Sequence, residues 1–222
     1  MKHITLLIIS VAALLLAFVV GTLLHNAQKE NSVAQVPEEN RAALIRMHAP
    51  TFGKIDAPVV IVEFLDPACE TCRDFYPLVK EIMAAKPDQI RLVVRYAPFH
   101  KGSDNVVAVL EAARKQGKFW QTLEALLVTQ TAWAPHHEAQ IDLVWRHLDG
   151  LDLDLEKLKA DMVSPEITQR IAQDIADART LNVRKTPEFF VNGRPLVNFG
   201  IEPLKTLVDD ALKDTQKETR RR

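Results

Sequence analysis

Cys69 and Cys72 are the only cysteines in the 222 residues, and they stand three positions apart in the stretch DPACETCR. This spacing leaves three roles open: a metal site, a structural disulfide and a redox-active dithiol. A zinc site needs further ligands, and the adjacent His136 and His137 are predicted to face solvent. A disulfide closing so short a loop would constrain little chain entropy. We therefore favour the redox dithiol and keep a soft-metal-binding module as the alternative.

A predicted strand–helix–strand unit surrounds the cysteines. The β-branched run Val59–Leu65 indicates a strand that is buried on both faces, and Asp66-Pro67 ends it. A helix should follow and stop at Lys86-Pro87, because apolar residues recur there at helical spacing: Phe75, Leu78, Val79 and Ile82. Ile90–Tyr96 reads as a second buried strand. The order predicts a right-handed parallel crossover.

A helical block interrupts the alternation of strands and helices. The sequence predicts helices at about 103–117, 119–128, 138–148 and 155–162, and one that begins at Pro165. Strand character returns at Glu188–Val191, and Asn192-Gly193 predicts a hairpin whose partner strand covers 194–199. A final helix should open at Glu202. The predicted fold class is therefore α/β, in the order β-α-β, helical block, β-β-α.

This order places Cys69 where a buried strand meets the N-terminus of a helix. Unpaired backbone N–H groups and the helix dipole both stabilise a thiolate at that position. Cys72 lies one turn further along the same helix, where it can attack a mixed disulfide formed at Cys69. The spacing therefore predicts thiol–disulfide exchange, with one sulfur attacking and the other resolving.

The first residues predict the location of the protein. Residues 4–24 carry no charge and could cross a hydrocarbon core of roughly 30 Å, so we expect an anchor at 1–25, with a cleaved signal peptide as the alternative. Lys2 favours a cytoplasmic N-terminus and export of the remainder. Residues 26–48 read as a tether, of which twenty extended residues could reach about 65 Å. The net charge of −1 argues against nucleic acid as a partner.

Three motifs together resemble the DsbA-like branch of the thioredoxin superfamily: Asp56-Ala-Pro-Val-Val-Ile-Val-Glu-Phe64, the Cys69–Cys72 pair, and Thr186-Pro-Glu-Phe-Phe-Val-Asn-Gly193. The resemblance implies a thioredoxin fold at 49–215 with a helical insertion at about 103–182. The basic residues at the end of the sequence themselves predict a solvated tail at 216–222. The resemblance also implies that Cys69 is a solvent-exposed nucleophile and that Thr186-Pro187 is a cis peptide bond beside the cysteines. No cofactor and no metal are implied.

The same resemblance assigns an acid and a set of partners. Glu63 stands six residues before the first cysteine, where relatives carry a buried acid; if buried, it could accept a proton from Cys72 through water. The implied partners are exported cysteine-containing proteins and a membrane redox partner. The implied location is the inner (cytoplasmic) membrane, single-pass, with the catalytic domain facing the periplasm or the cell exterior.

The dipeptide between the cysteines departs from the strongly oxidising members, which carry Pro-His. Here the residues are Glu70-Thr71, and an acidic Glu70 beside Cys69 should favour the thiolate less than a histidinium would. Asp66 adds further negative charge near Cys69, and the positive charge of Arg73 partly offsets it. Thr186 before the proline resembles the isomerase and reductase members. The sequence therefore predicts a protein-disulfide oxidoreductase that is less oxidising than a Cys-Pro-His-Cys enzyme, with the direction of exchange open.

Overall fold

The computed structural model describes residues 15–16, 18–22 and 35–221. The chain divides into two units, Met1–Gln35 and Val36–Arg222, and the second contains all the elements named below. Residues 15–16 and 18–22 are helical, and within the described part of the chain no helix is both long and apolar enough to cross a bilayer. The other residues of the predicted anchor or signal segment at 1–25, and residues 26–34 of the predicted tether, lie outside the described residues.

A five-stranded sheet forms the centre of the second unit, with the strand order β1-β3-β2-β4-β5. Only β2 and β3 run parallel; the other neighbours pair antiparallel. The strand bounds are β1 Thr51–Phe52, β2 Val59–Leu65, β3 Ile90–Tyr96, β4 Glu188–Val191 and β5 Arg194–Pro195. The predicted bounds of β2, β3 and β4 are confirmed, whereas β5 is shorter than the predicted 194–199, and β1 was not predicted.

Helices account for most of the remaining chain. Their bounds are α1 Arg41–Leu44, α2 Glu70–Ala85, α3 Ser103–Lys115, α4 Phe119–Val128, α5 Gln130–Trp133, α6 Ile141–Val144, α7 Leu155–Met162, α8 Pro165–Thr180 and α9 Ile201–Arg221. Short 3-10 turns occur at Glu38–Asn40, Pro135–His137 and Trp145–His147. The predicted α/β fold, with a helical block between a β-α-β and a β-β-α half, is confirmed.

Two predicted helical boundaries differ from the structure. The helix expected at 138–148 is only α6 and a 3-10 turn, because Glu138 and Gln140 are extended and the N–H groups of Ala139 and Gln140 bond to the carbonyls of Lys101 and Trp133. The last helix continues to Arg221, so the basic residues expected to form a tail at 216–222 are helical as far as the structure describes them.

Both faces of the sheet are covered, because successive side chains of a strand point to opposite sides. One face belongs to the core that contains the cysteines and α2: Ile61, Leu65, Leu92 and Phe189. The other face packs against residues from the start of the second unit and from α8: Val62, Phe64, Val93 and Phe190 on the sheet, with Val36, Leu44 and Ala178 above them. Glu63 shares the parity of Ile61 and Leu65, so it lies on the cysteine side.

Residues 36–48 correct the prediction of a tether that continues to residue 48. The backbone N–H of Val36 bonds to the carbonyl of Gly193 at 2.9 Å, and Leu44 is 4% exposed. Arg46 makes two hydrogen bonds to the carboxylate of Asp177, at 2.7 and 2.8 Å. This segment is therefore part of the folded unit, because its apolar residues cover one face of the sheet.

A buried ion cluster fixes α8 and this segment to the sheet. Arg95, at the end of β3, is fully buried and donates to Asp174 and Asp177 of α8 and to the carbonyls of Ala43 and Leu44. Desolvation by burial raises the pKa of both carboxyl groups, but the hydrogen bonds to them outweigh it and leave each pKa below its ordinary value. One buried guanidinium therefore joins three parts of the chain.

Candidate active site

Cys69 is the N-cap residue of α2, directly after the turn that ends β2. The carbonyl of Asp66 accepts the Cys69 N–H at 3.0 Å, and the Asp66 carboxylate accepts the N–H of Ala68 at 2.9 Å. This tight turn follows from Asp66-Pro67, since aspartate side chains bond backbone groups two residues on. The turn brings the Cys69 sulfur to the first, unpaired N–H groups of the helix, as the sequence predicts.

The pKa of Cys69 is lowered from 9.0 to about 5. The largest cause is a hydrogen bond from the Cys72 side chain; burial opposes it, and the Thr186 side chain and the backbone N–H groups of Cys72 and Thr71 add to the lowering. At neutral pH the sulfur is therefore a thiolate, the nucleophilic form of cysteine. A value of about 5 lies between an ordinary thiol and the roughly 3.5 of the strongest oxidant of this kind.

Cys72 has the opposite environment. It is fully buried, and burial followed by the hydrogen bond and charge of Cys69 raises its pKa well above 9.0. Both sulfurs are free, so the structure represents the dithiol form. The pair therefore combines one ionised and one protonated sulfur, an arrangement in which the two sulfurs cannot exchange roles at neutral pH.

Glu63 is fully buried in β2, as the sequence predicts. Neither carboxylate oxygen has a hydrogen-bond partner among the described residues, and burial followed by the charge of Cys69 raises its pKa to about 8. The charge of Glu63 in turn contributes to the high pKa of Cys72. At pH 7 Glu63 is therefore mostly protonated, and its ionised fraction grows as the pH rises toward 8.

The predicted exposure of Cys69 requires a correction. Cys69 is only 6% exposed, against 0% for Cys72. The reason is the loop before β4, whose Thr186 carbonyl oxygen lies 3.2 Å from the Cys69 sulfur. Cys69 therefore supplies all of the accessible surface of the pair, and that surface is small.

The peptide bond between Thr186 and Pro187 is cis, which confirms that prediction. Pro187 is buried and Thr186 is half-buried. Together with Cys69, Cys72 and Glu63, they form one cluster at the start of α2. The structure therefore brings all five predicted site residues together.

The two acidic residues near the cysteines, Glu70 and Asp66, differ in their exposure to solvent. Glu70 is exposed, so solvent screens its charge. Asp66 is fully buried, and its carboxylate accepts the N–H groups of Phe99 and His100 at 2.7 and 2.9 Å and the hydroxyl of Ser103. The Nδ1 atom of His100 also lies 2.7 Å from it. Asp66 thus ties the loop after β3 to the cysteine turn, a role that its sequence position did not reveal.

Gln130 is a second residue of the site that sequence reasoning missed. Its buried side chain reaches from α5 to the carbonyls of Pro67 and Cys69. No sequence signal identifies it, because its position in the site depends on how the helical block packs. Among the described residues no group of three or more His, Cys, Asp or Glu side chains could hold a metal ion.

Comparisons with known proteins agree with this geometry. A family model described as Thioredoxin matches residues 47–210. The crystal structure of a thioredoxin-like oxidoreductase from Silicibacter pomeroyi DSS-3 is 33% identical with a TM-score of 0.67, covering 78% of this chain and 98% of that one. The probable disulfide bond formation protein D of Bacillus anthracis is 31% identical over 173 residues, covering 73% of this chain and 78% of the relative.

Similarity also extends to part of a different class of protein. The Na(+)/H(+) antiporter NhaA 3 of Salinispora tropica is 35% identical over 145 residues, which make up 64% of this chain. This chain spans only 21% to 25% of the length of that antiporter and of three other NhaA antiporters.

Proposed function

The chain belongs to the thioredoxin family and, within it, to the DsbA-like thiol-disulfide oxidoreductases, and from this we propose that it exchanges disulfides with other proteins through Cys69 and Cys72. The observation that carries the proposal is the contrast between the two sulfurs. Cys69 has a pKa of about 5 and the pair's accessible surface, whereas Cys72 is buried and protonated. Thiol–disulfide exchange needs one such attacking sulfur and one such resolving sulfur.

The proposed reaction has two steps. The Cys69 thiolate attacks one sulfur of a substrate disulfide, which forms a mixed disulfide and releases the other substrate sulfur as a thiolate. Cys72 then loses its proton and attacks the Cys69 sulfur, which closes the Cys69–Cys72 disulfide and releases the second substrate thiolate. Two electrons pass from the protein to the substrate, and the reverse sequence oxidises a substrate dithiol.

Glu63 is proposed as the group that takes the proton from Cys72, through a bridging water. A buried thiol cannot attack until it ionises, and its ionisation is costly in an apolar surrounding. Glu63 has a pKa of about 8, so about a tenth of it is ionised at pH 7, and this carboxylate, whose charge acts on Cys72, accepts the proton. Thr186 and Pro187 are proposed to form the wall against which the substrate chain lies during attack.

We also propose the location and partners. Residues 4–24 are long and apolar enough for a single-pass anchor in the cytoplasmic membrane, and Lys2 favours export of the catalytic domain. The substrates would then be exported proteins with cysteines, and a membrane protein would restore the redox state of the pair. The direction of net exchange follows from the reduction potential of the Cys69–Cys72 pair against that of its surroundings.

The proposal is tested by the reduction of insulin with dithiothreitol as electron donor. The protein should accelerate the reduction, and Cys69→Ser should lose the acceleration while keeping the fold. Metal content after anaerobic purification is measured on the same sample. A protein that carries bound metal and gives no acceleration over dithiothreitol alone would be a metal-handling module instead.

A further inference from the structure

Gln130 connects the helical block to the backbone of the nucleophile. Its side chain is 1% exposed, and its Nε2 atom donates to the carbonyl of Pro67 at 2.7 Å and to the carbonyl of Cys69 at 3.0 Å. Its Oε1 atom has no partner among the described residues. The amide group of Gln130 therefore donates both of its N–H groups to one three-residue turn.

These two carbonyls are the groups that this turn leaves without a strong partner. The Cys69 carbonyl accepts only one long backbone bond, from the Arg73 N–H at 3.2 Å. The Pro67 carbonyl lies between the end of β2 and the first residue of α2, where strand and helix ladders do not reach it. Because a buried carbonyl without a partner is costly, the Gln130 amide stabilises the one conformation in which it satisfies both.

The conformation held in this way decides which N–H groups reach the Cys69 sulfur. Cys69 is in an extended conformation, with φ −80° and ψ 120°, and the next residue begins the helix. This abrupt change turns the N–H groups of Thr71 and Cys72 toward the Cys69 sulfur, where they lower its pKa.

We propose that Gln130 is a positioning residue for the nucleophile: its amide holds the Pro67–Cys69 turn so that the helical block sets the ionisation of Cys69. The helical block then contributes to the chemistry as well as to the shape of the protein. The catalytic importance of Gln130 rests on the proposed function. The measurement that tests Gln130 does not, since the ionisation of Cys69 can be followed without any protein substrate.

The test replaces Gln130 with Met, which keeps the length of the side chain and removes both donors. The rate of Cys69 alkylation is followed against pH in the reduced protein, and mass spectrometry separates Cys69 from Cys72. We expect the Cys69 pKa to rise by about one unit, because the thiolate loses part of its hydrogen bonding. Alkylation at pH 5 then falls about fivefold, since one unit is tenfold in the ionisation constant.

A second readout is the equilibrium of the pair with reduced and oxidised glutathione. A less stable thiolate makes the dithiol form less favoured, so the disulfide becomes a weaker oxidant. One unit of pKa corresponds to about a tenfold change in that equilibrium constant at pH 7, or about 30 mV. A loss of stability alone would leave this equilibrium unchanged in the folded protein.

Gln116→Met is the matched control. Gln116 also uses its amide to hold a backbone turn, donating to the Asp154 carbonyl at 3.0 Å and accepting the Asp154 N–H at 2.9 Å, and both of these bonds are made away from the cysteine turn. We expect it to lower stability and to leave the Cys69 pKa unchanged. An unchanged Cys69 pKa in Gln130→Met, or an equal rise in the control, overturns the inference.

Gln130→Glu keeps the test decisive if Gln130→Met does not fold. Burial favours the neutral carboxyl group, which keeps one O–H donor for one of the two carbonyls. The pKa of Cys69 in Gln130→Glu should be higher than in the wild type. If Gln130→Met also folds, the value in Gln130→Glu should lie between those of the wild type and Gln130→Met. A wild-type pKa in this variant contradicts the role of Gln130. A wild-type protein without activity on insulin contradicts only the proposed function.

Discussion

The sulfur of Cys69 lies 3.2 Å from the backbone carbonyl oxygen of Thr186, although 117 residues separate the two in the chain. The contact joins the N-terminus of α2 to the loop before β4, and it limits the exposure of the nucleophile to 6%. A Cys69 thiol can donate to this oxygen, whereas a thiolate cannot. Ionisation of Cys69 therefore frees a backbone acceptor beside the attacking sulfur, where the first group of an incoming chain would arrive.

Thr186→Val should raise the pKa of Cys69. The Thr186 side chain is one of the hydrogen-bonding groups that lower this pKa, and valine has the same shape without the hydroxyl. Losing one of several bonds should slow Cys69 alkylation at pH 5 about threefold. Thr206→Val, which removes a hydroxyl bonded to Glu202 on the exposed side of α9, is the control. Equal alkylation in both variants would show that the hydroxyl has no part in ionisation.

Cys72→Ser should trap mixed disulfides, because Cys69 can still attack while the resolving sulfur is missing. Covalent complexes with substrate proteins should accumulate on non-reducing gels and disappear on adding dithiothreitol. Cys69→Ser should give few complexes and lose activity. Faster alkylation of Cys72 than of Cys69 in the reduced wild type would reverse these two roles.

Glu63 should destabilise the fold as the pH rises. Its pKa is raised from 4.5 to about 8, so between these values the folded state holds a proton that the unfolded state releases. Stability is therefore lost as the pH rises through this window, by about 3 kcal/mol at pH 7. Cys69 has a lowered pKa and contributes with the opposite sign between about 5 and 9. The two effects must be separated.

The Cys69→Ser background removes the thiolate and leaves Glu63 to titrate with burial as its main cause. In this background, urea unfolding at pH 5 and pH 7.5 should show the loss of stability. Adding Glu63→Met should abolish the pH dependence and raise the free energy of unfolding at pH 7.5. A slope that survives the substitution would have to come from another group. In the protein with both cysteines, Glu63→Met should also slow the release of substrate from the mixed disulfide.

Arg95→Met should destabilise the protein by about 3–5 kcal/mol in urea unfolding, because it removes the fully buried cation that Asp174 and Asp177 share. The loss should shrink below pH 3.8, since Asp174 and Asp177 have lowered pKa values and their contribution disappears as they protonate. Lys205→Met, which breaks the exposed pair with Glu202, is the control and should lower stability far less, because solvent screens that pair. Similar losses in the two variants would show that burial does not strengthen the cluster.

The membrane proposal is tested with the full chain. If residues 4–24 remain as an anchor, the protein should sediment with membranes and resist carbonate extraction. A mature N-terminus near Gln35, read by sequencing, would show cleavage at the small-residue site Ser32-Val33-Ala34 instead.

The parts of the structure that local patterns determine could be predicted from the sequence. The bounds of β2 and β3 follow from β-branched runs, and the position of Cys69 follows from the strand–helix junction. The partners of Asp66 and Gln130 could not be predicted, because they depend on how distant elements pack. The same reason applies to Arg95: in sequence it is a charge near the end of a strand, and only the position of α8 makes it the centre of a buried cluster.

β1 and the segment before it were missed for a related reason. Two residues, Thr51 and Phe52, carry too little periodicity to indicate a strand, and pairing with β3 alone makes them one. Residues 36–48 look polar and irregular, but Leu44 and Val36 cover a face of the sheet that the sequence gives no means of locating. Tertiary contacts decided both outcomes.

The attachment of residues 36–48 to the domain decides which fragment of the chain can stand for the whole domain in experiments. Val36 and Leu44 cover the face of the sheet that carries Val62 and Phe190, and Arg46 bonds to Asp177 of α8. A fragment that begins after residue 48 would expose this apolar face to water and remove a partner of the buried Arg95 cluster. Measurements on Cys69 therefore need a protein that keeps residues 36–48.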